Sequence, residues 1–204
     1  MDKLANQYYF FQNNLLDRAS CLSSLAPLLL RLYLIPIFWM AGTNKIDLST
    51  FMPYQGTVDW FGDYLGLPIP TVMAFLAGWT EILGAIFFAA GFAVRWISLP
   101  LMITMLVAAF AVHWGNGWQA ISDVGSAYAN ERVEEAAARL IIAKDILRQH
   151  GDYRWLTAKG SLVILNNGIE FSITYFLMLL SLFFTGGGKY VGIDYWLSQR
   201  FPQQ

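Results

Sequence analysis

Four apolar segments, at 24–42, 70–91, 97–114 and 168–186, each approach the length that crosses a bilayer. About 20 mostly apolar residues cover roughly 30 Å of hydrocarbon as a helix. Each segment also carries an ionisable residue: Arg31 in the first, Glu81 in the second, His113 at the end of the third and Glu170 at the start of the fourth. A charge at the centre of a span costs at least about 2.5–3.5 kcal/mol, so Arg31 and Glu81 are expected to face inward and find partners. The pattern predicts an all-α fold: a four-helix transmembrane bundle, with residues 1–204 forming a single membrane domain.

The composition agrees. Hydrophobic residues make up 56% and charged residues 13% of the chain, against about 25% charged in soluble domains. A net charge of −1 provides no basic field for nucleic acid. The single cysteine, Cys21, excludes an internal disulfide and the CxxC pair of a thiol oxidant. The opening residues do not read as a cleaved signal peptide, because the first apolar run starts late and has no small-residue cleavage site. Leu4, Tyr8, Phe11, Leu15 and Leu22 instead recur at helical spacing. They predict an amphipathic N-terminal helix, lying on the membrane surface or packed on the base of the bundle.

The connections differ in kind. A polar and aromatic loop with Tyr54, Trp60, Phe61 and Tyr64 follows the first span and suits headgroup depth. Spans two and three are joined by only 92–96, which demands a tight antiparallel hairpin. Pro100 falls in the first turns of span three, where a missing N–H does little harm. Residues 115–160 form an extra-membrane insertion with one helix: Asn130 caps it, Glu131, Glu134 and Glu135 fill its first turns, and Arg148 and His150 its last. Gly151 ends it, and the stripe Val133, Ala137, Leu140 and Leu147 predicts docking on the protein or the membrane. Gly186, Gly187 and Gly188 read as a flexible exit from the fourth span. Lys3, Arg18, Arg95, Lys189 and Arg200 collect on the side shared by the termini, which predicts both termini in the cytoplasm of a multi-pass inner-membrane protein.

Two sets of polar residues emerge. In span two, Ala77, Glu81, Ala85 and Ala89 are spaced by four, a small-residue face that lets helices approach. Arg31, Phe38 and Lys45 lie on nearly one face of span one. A central Arg31–Glu81 pair is expected, serving either helix register or a polar pocket for a proton, a quinone head group or a substrate. At the opposite rim, Lys45, His113, Glu170, Asn167 and Trp114 are expected to gather. His113 with Met105 invites a copper(I) site, since thioether and imidazole suit that ion, although methionine is also common core filler. No dithiol, haem ligand pair, nucleotide loop or dense metal motif supports independent catalysis.

Several runs resemble the DoxX family of small four-span membrane proteins: Arg31-Leu-Tyr-Leu, Gly42-Thr-Asn-Lys45, Phe61-Gly, Leu67-Pro68, Ala77-Gly-Trp-Thr-Glu81-Ile-Leu-Gly84, Arg95-Trp-Ile and His113-Trp114. The long third loop, with Leu165-Asn-Asn-Gly-Ile-Glu170 and Phe183-Phe-Thr-Gly-Gly-Gly-Lys-Tyr190, is more similar to the HvfX-type branch. That resemblance implies an accessory role in maturing, retaining or exporting a copper-binding modified peptide, beside other membrane or peptide-maturation proteins. The wider family implies the alternative of a quinone-linked redox subunit. Kinship of fold does not choose between them.

Overall fold

The computed structural model describes residues 2–201, with the side chains of residues 2, 3, 15–18 and 21 outside that description. It is all-α apart from one short hairpin. The chain packs as two compact units. One runs up to Leu101 and resumes at Met178; the other is Met102–Leu177.

In the first unit, helix α1 (Asp2–Ala19) leads into α2 (Leu25–Thr43). Leu4, Tyr8, Phe11 and Leu22 are all exposed, as are Tyr9 and Phe10; Leu15, Lys3, Arg18 and Cys21 fall outside the described side chains. After α2 the chain makes an antiparallel pair, Ile46–Asp47 with Met52–Pro53, then α3 (Gln55–Asp59) and a π-helical turn, Trp60–Tyr64. This segment folds back along the first half of α4 (Pro70–Ala90). The Phe51 and Trp79 rings stack at 6.0 Å, and Trp79 Nε1 donates to the Phe51 carbonyl at 3.3 Å. Sequence reading saw only a loop here.

Helices α2 and α4 form the core of this unit. The face that α4 buries is Ala74, Gly78, Glu81, Ala85 and Phe88, rotated from the expected alanine stripe, and Ala89 is exposed. Glycines set the approach: a Cβ on Gly42 would lie 2.6 Å from Ile82 Cγ1 and 2.8 Å from the Gly78 carbonyl oxygen. Such contacts stand in for the missing hydrophobic drive between helices in lipid. Gly91, left-handed at φ 60, stops α4, and α5 (Val94–Val107) starts almost at once. Because α5 begins at Val94 and not near Ile97, Pro100 sits inside the helix and leaves one carbonyl without its usual donor.

The second unit contains the end of α5, a π-helical stretch at Ala108–His113, the helices α6 (Glu131–His150) and α7 (Tyr153–Leu156), and the first turns of α8 (Glu170–Thr185). Asn130 caps α6 by accepting from Val133 N–H at 3.0 Å. The buried stripe is confined to its first turns at Val133 and Ala136, while Ile141, Ile142 and Ile146 stay exposed.

Among the described residues, three helical stretches are long and apolar enough to cross a membrane: Leu25–Thr43, Pro70–Ala90 and Val94–Asn116. The expected fourth span, α8, is a shorter apolar helix of 16 residues. At about 1.5 Å per residue it covers about 24 Å, short of full hydrocarbon thickness. The chain before Glu170 is held in backbone hydrogen bonds, and Gly186 turns it immediately after Thr185, with φ 74.

Candidate functional site

The buried carboxylate of Glu81 is held by Lys45. Lys45 Nζ donates to Glu81 Oε2 at 2.7 Å and to the Ala41 carbonyl at 3.1 Å. Glu81 is nearly enclosed, with 5% of its side chain exposed, whereas Lys45 keeps 25%. Lys45 also lines an open pocket of about 440 Å³ with Asn44, Thr57, Trp60 and Phe61. Lys45 therefore borders both the pocket and the carboxylate. Glu81 lies about halfway along α4, roughly 16 Å from its start, so the pair sits deep on that helix. Beside it, the 47–50 turn is closed by Asp47, which accepts from Ser49 N–H and Oγ at 2.8 and 2.7 Å and from Thr50 Oγ1 at 3.2 Å. These donors hold the Asp47 carboxyl below the usual carboxylate range.

Arg31 does not pair with Glu81. The expected central pair is replaced by Lys45–Glu81, because Gly42 packs at the level of Gly78 and Ile82. In an antiparallel helix pair, that register places Lys45 beside Glu81 and carries Arg31, about four turns earlier, down to the end of α4. There the guanidinium, 2% exposed, donates to the carbonyls of Phe88 at 2.8 Å, Gly187 at 2.9 Å and Val191 at 3.1 Å. A cation at a helix C-terminus satisfies orphan carbonyls and complements the dipole. Asp194 completes a latch by accepting from the N–H groups of Ala93 and Val94 at 2.7 and 3.0 Å, where α5 begins. The glycine run is thus a packed turn and not a flexible exit: a Cβ on Gly188 would lie 3.0 Å from the Ser24 carbonyl oxygen.

Of the expected rim cluster, Lys45 belongs to the first unit and the other members to the second. There, His113 Nδ1 donates to the Asn167 carbonyl at 2.8 Å, and Asn116 Nδ2 donates to the same oxygen at 3.0 Å. A carbonyl can only accept, so Nδ1 carries the proton and Nε2 is left as the acceptor in the neutral ring. Glu170 Oε2 accepts from Ala120 N–H at 2.8 Å, so His113 and Glu170 each engage backbone and not one another. Trp114 is exposed and packs on Phe110 with ring centroids 5.3 Å apart. Met105 is buried and lies eight residues before His113 in the chain, with the π-helical stretch Ala108–His113 between them. No group of three or more His, Cys, Asp or Glu side chains suited to a metal occurs among the described residues.

The segment around Asn167 is itself a clasp. The N–H groups of Asn166 and Asn167 donate to the Ala120 carbonyl, that of Gly168 to Gln119, that of Ile169 to Gly117 and that of Glu170 to Trp118, all at 2.8–3.0 Å. Asn166, nearly fully buried, adds its Nδ2 to the Asn116 and Gln119 carbonyls at 2.8 Å each. Sequence reading placed Asn166 and Asn167 together just before Glu170 but gave Asn166 no partners. It also missed Asn44, Thr57 and Asp194, since an Asn, a Thr or an Asp in a polar loop carries no periodic signal.

Long apolar helices with their charged groups turned inward define a multi-pass membrane protein. Residues 26–114 are matched by the DoxX family model, a stretch that takes in Arg31, Lys45, Glu81 and His113. No curated protein and no solved structure matches the chain.

Proposed function

We propose that this chain is an inner-membrane protein of the DoxX type, with both termini cytoplasmic, and that it binds the head group of a membrane quinone in the pocket beside Lys45. The observation that carries the reading is a single lysine that lines the pocket and holds a buried carboxylate with its ammonium. A quinone oxygen is an acceptor, and Lys45 and Asn44 are donors. Trp60 and Phe61 offer aromatic surface to a flat ring. The pocket volume lies within the ordinary range for small-ligand sites of about 300–1,000 Å³. Reduction of a quinone to a quinol takes up two protons, and a buried Lys–Glu pair at the oxygen is suited to deliver or accept one of them. The electrons would come from a redox partner subunit, and the chain would serve as the membrane subunit that holds the quinone.

Its support is the donor set, the aromatic lining and the depth of Glu81 on α4. The copper-peptide reading rests on the resemblance of the third loop alone, and the separation of His113 from Met105 adds nothing to it. Quenching of tryptophan fluorescence by a short-chain ubiquinone, measured on purified protein in mild detergent, tests the proposal. Lys45→Met should weaken quenching at least tenfold, and Trp60→Phe should remove most of the signal. Equal quinone affinity in wild type and Lys45→Met would overturn it.

A further inference from the structure

A second cleft, of about 590 Å³, lies in the first unit between the start of α2, the α4–α5 turn and the tail; its wall carries Arg95 and Lys189 with the hydroxyls of Ser23, Thr185, Tyr195 and Ser198. Asp194 also lines it, but both its oxygens are committed to the N–H groups of Ala93 and Val94. No hydrogen bond or ion pair engages the charged groups of Arg95 or Lys189 among the described residues. Arg95 is positioned by the turn beneath it, since a Cβ on Gly186 would lie 3.1 Å from its Nε. Behind the cleft, Arg31 spends its donors on neutral carbonyls and also feels the negative charge of Asp194. On the wall itself, two cations, Arg95 and Lys189, thus face one acid whose oxygens already accept from backbone.

The depth of the cleft follows from the helix ends that frame it. Helix α2 starts at Leu25, α4 stops at Ala90 and α5 starts at Val94. Spans end at the headgroup layer, so the cleft lies at that depth whichever way the chain is oriented. Trp96 beside it is 76% exposed, as suits an amphipathic ring at a membrane interface. Two donor-only cations, with the hydroxyls of Ser23 and Tyr195 beside them, fit a group that only accepts, while the hydroxyls of Thr185 and Ser198 already donate to the Ser181 and Tyr195 carbonyls at 2.8 Å each; basic pockets between span ends are suited to phosphate-bearing head groups.

We propose that this cleft binds a phosphate group at the membrane surface, either the phosphodiester of an anionic lipid or free phosphate, gripped by Arg95 and Lys189. The inference is independent of the quinone reading. The test is thermal unfolding of the purified full chain in neutral detergent, titrated with phosphatidylglycerol, with phosphatidylcholine, or with millimolar inorganic phosphate. Phosphatidylglycerol should raise the midpoint and phosphatidylcholine should not. The double variant Arg95→Gln, Lys189→Gln should need about thirtyfold more phosphatidylglycerol, equivalent to about 2 kcal/mol. If that variant does not fold, Lys189→Gln alone, at an exposed position, should show about a fivefold loss. Displacement of the lipid by inorganic phosphate would assign the site to free phosphate, and its failure would assign the site to lipid. An equal response to both lipids with none to phosphate, or a variant that responds like wild type, overturns the proposal.

Discussion

Replacing Lys45 with methionine isolates the energetics of the pair deep in the first unit. The apolar stem is kept and the ammonium removed, leaving Glu81, 5% exposed, without its partner at 2.7 Å. Breaking a buried ion pair from one side costs about 3–5 kcal/mol, mostly the penalty of a stranded charge. Lys45 is 25% exposed, so water reaches one flank and the lower end applies, about 3 kcal/mol. For a chain of this size each kcal/mol moves the unfolding midpoint by about 2–4 °C, which gives a fall of about 6–12 °C. The double variant Lys45→Met, Glu81→Leu removes both charges and should recover most of that loss, because an apolar replacement of a buried pair is often neutral. Thermal unfolding in mild detergent, with the two single variants and the double, completes the cycle. Costs of the two singles that simply add in the double would refute the pairing. The same register argument predicts that exchanging the charges of Arg31 and Glu81 rescues nothing, since the structure gives those residues different partners.

Arg31→Met should strip the Gly187 and Val191 carbonyls of their donor, at about 1–3 kcal/mol for each buried group left unsatisfied. Hydrogen exchange should accelerate across 187–194 and stay unchanged in α6, whereas faster exchange everywhere would show that Arg31 supports the whole bundle and not the latch. Gly168→Ala places a Cβ 2.5 Å from the Gly117 and Gln119 carbonyl oxygens and should cost about 1–3 kcal/mol, read as a lower unfolding midpoint. Gly56→Ala, with nothing within 4 Å of its added carbon, is the matched control and should unfold like wild type.

How far this structure is legible in sequence depends on whether a feature is local. The first two spans are placed to within a residue at each end, at Leu25–Thr43 and Pro70–Ala90, because hydropathy is summed over neighbours in the chain. The inward facing of Arg31 and Glu81 was equally legible, since lipid forbids the alternative. Their partners were not. Matching heights from assumed helix ends pairs Arg31 with Glu81, but the register is set by Gly42 against Gly78 and Ile82, and no count along either helix reveals that contact. The glycine run of the tail poses the same problem, because a missing side chain permits both a loose linker and a close approach.

The nature of Arg31's partners has a consequence for the chain as a folding unit. Its acceptors are carbonyls, which every residue carries, so no sequence motif announces them. Two of the three, on Gly187 and Val191, lie outside residues 26–114, the stretch matched by the DoxX family model. Asp194, which caps α5 at Ala93 and Val94, lies outside it as well. A piece ending at Trp114 would hold a buried guanidinium with one of its three acceptors and an α5 start without its cap. The stretch that the family model matches therefore supplies the buried cation, while the tail supplies most of what keeps that cation satisfied.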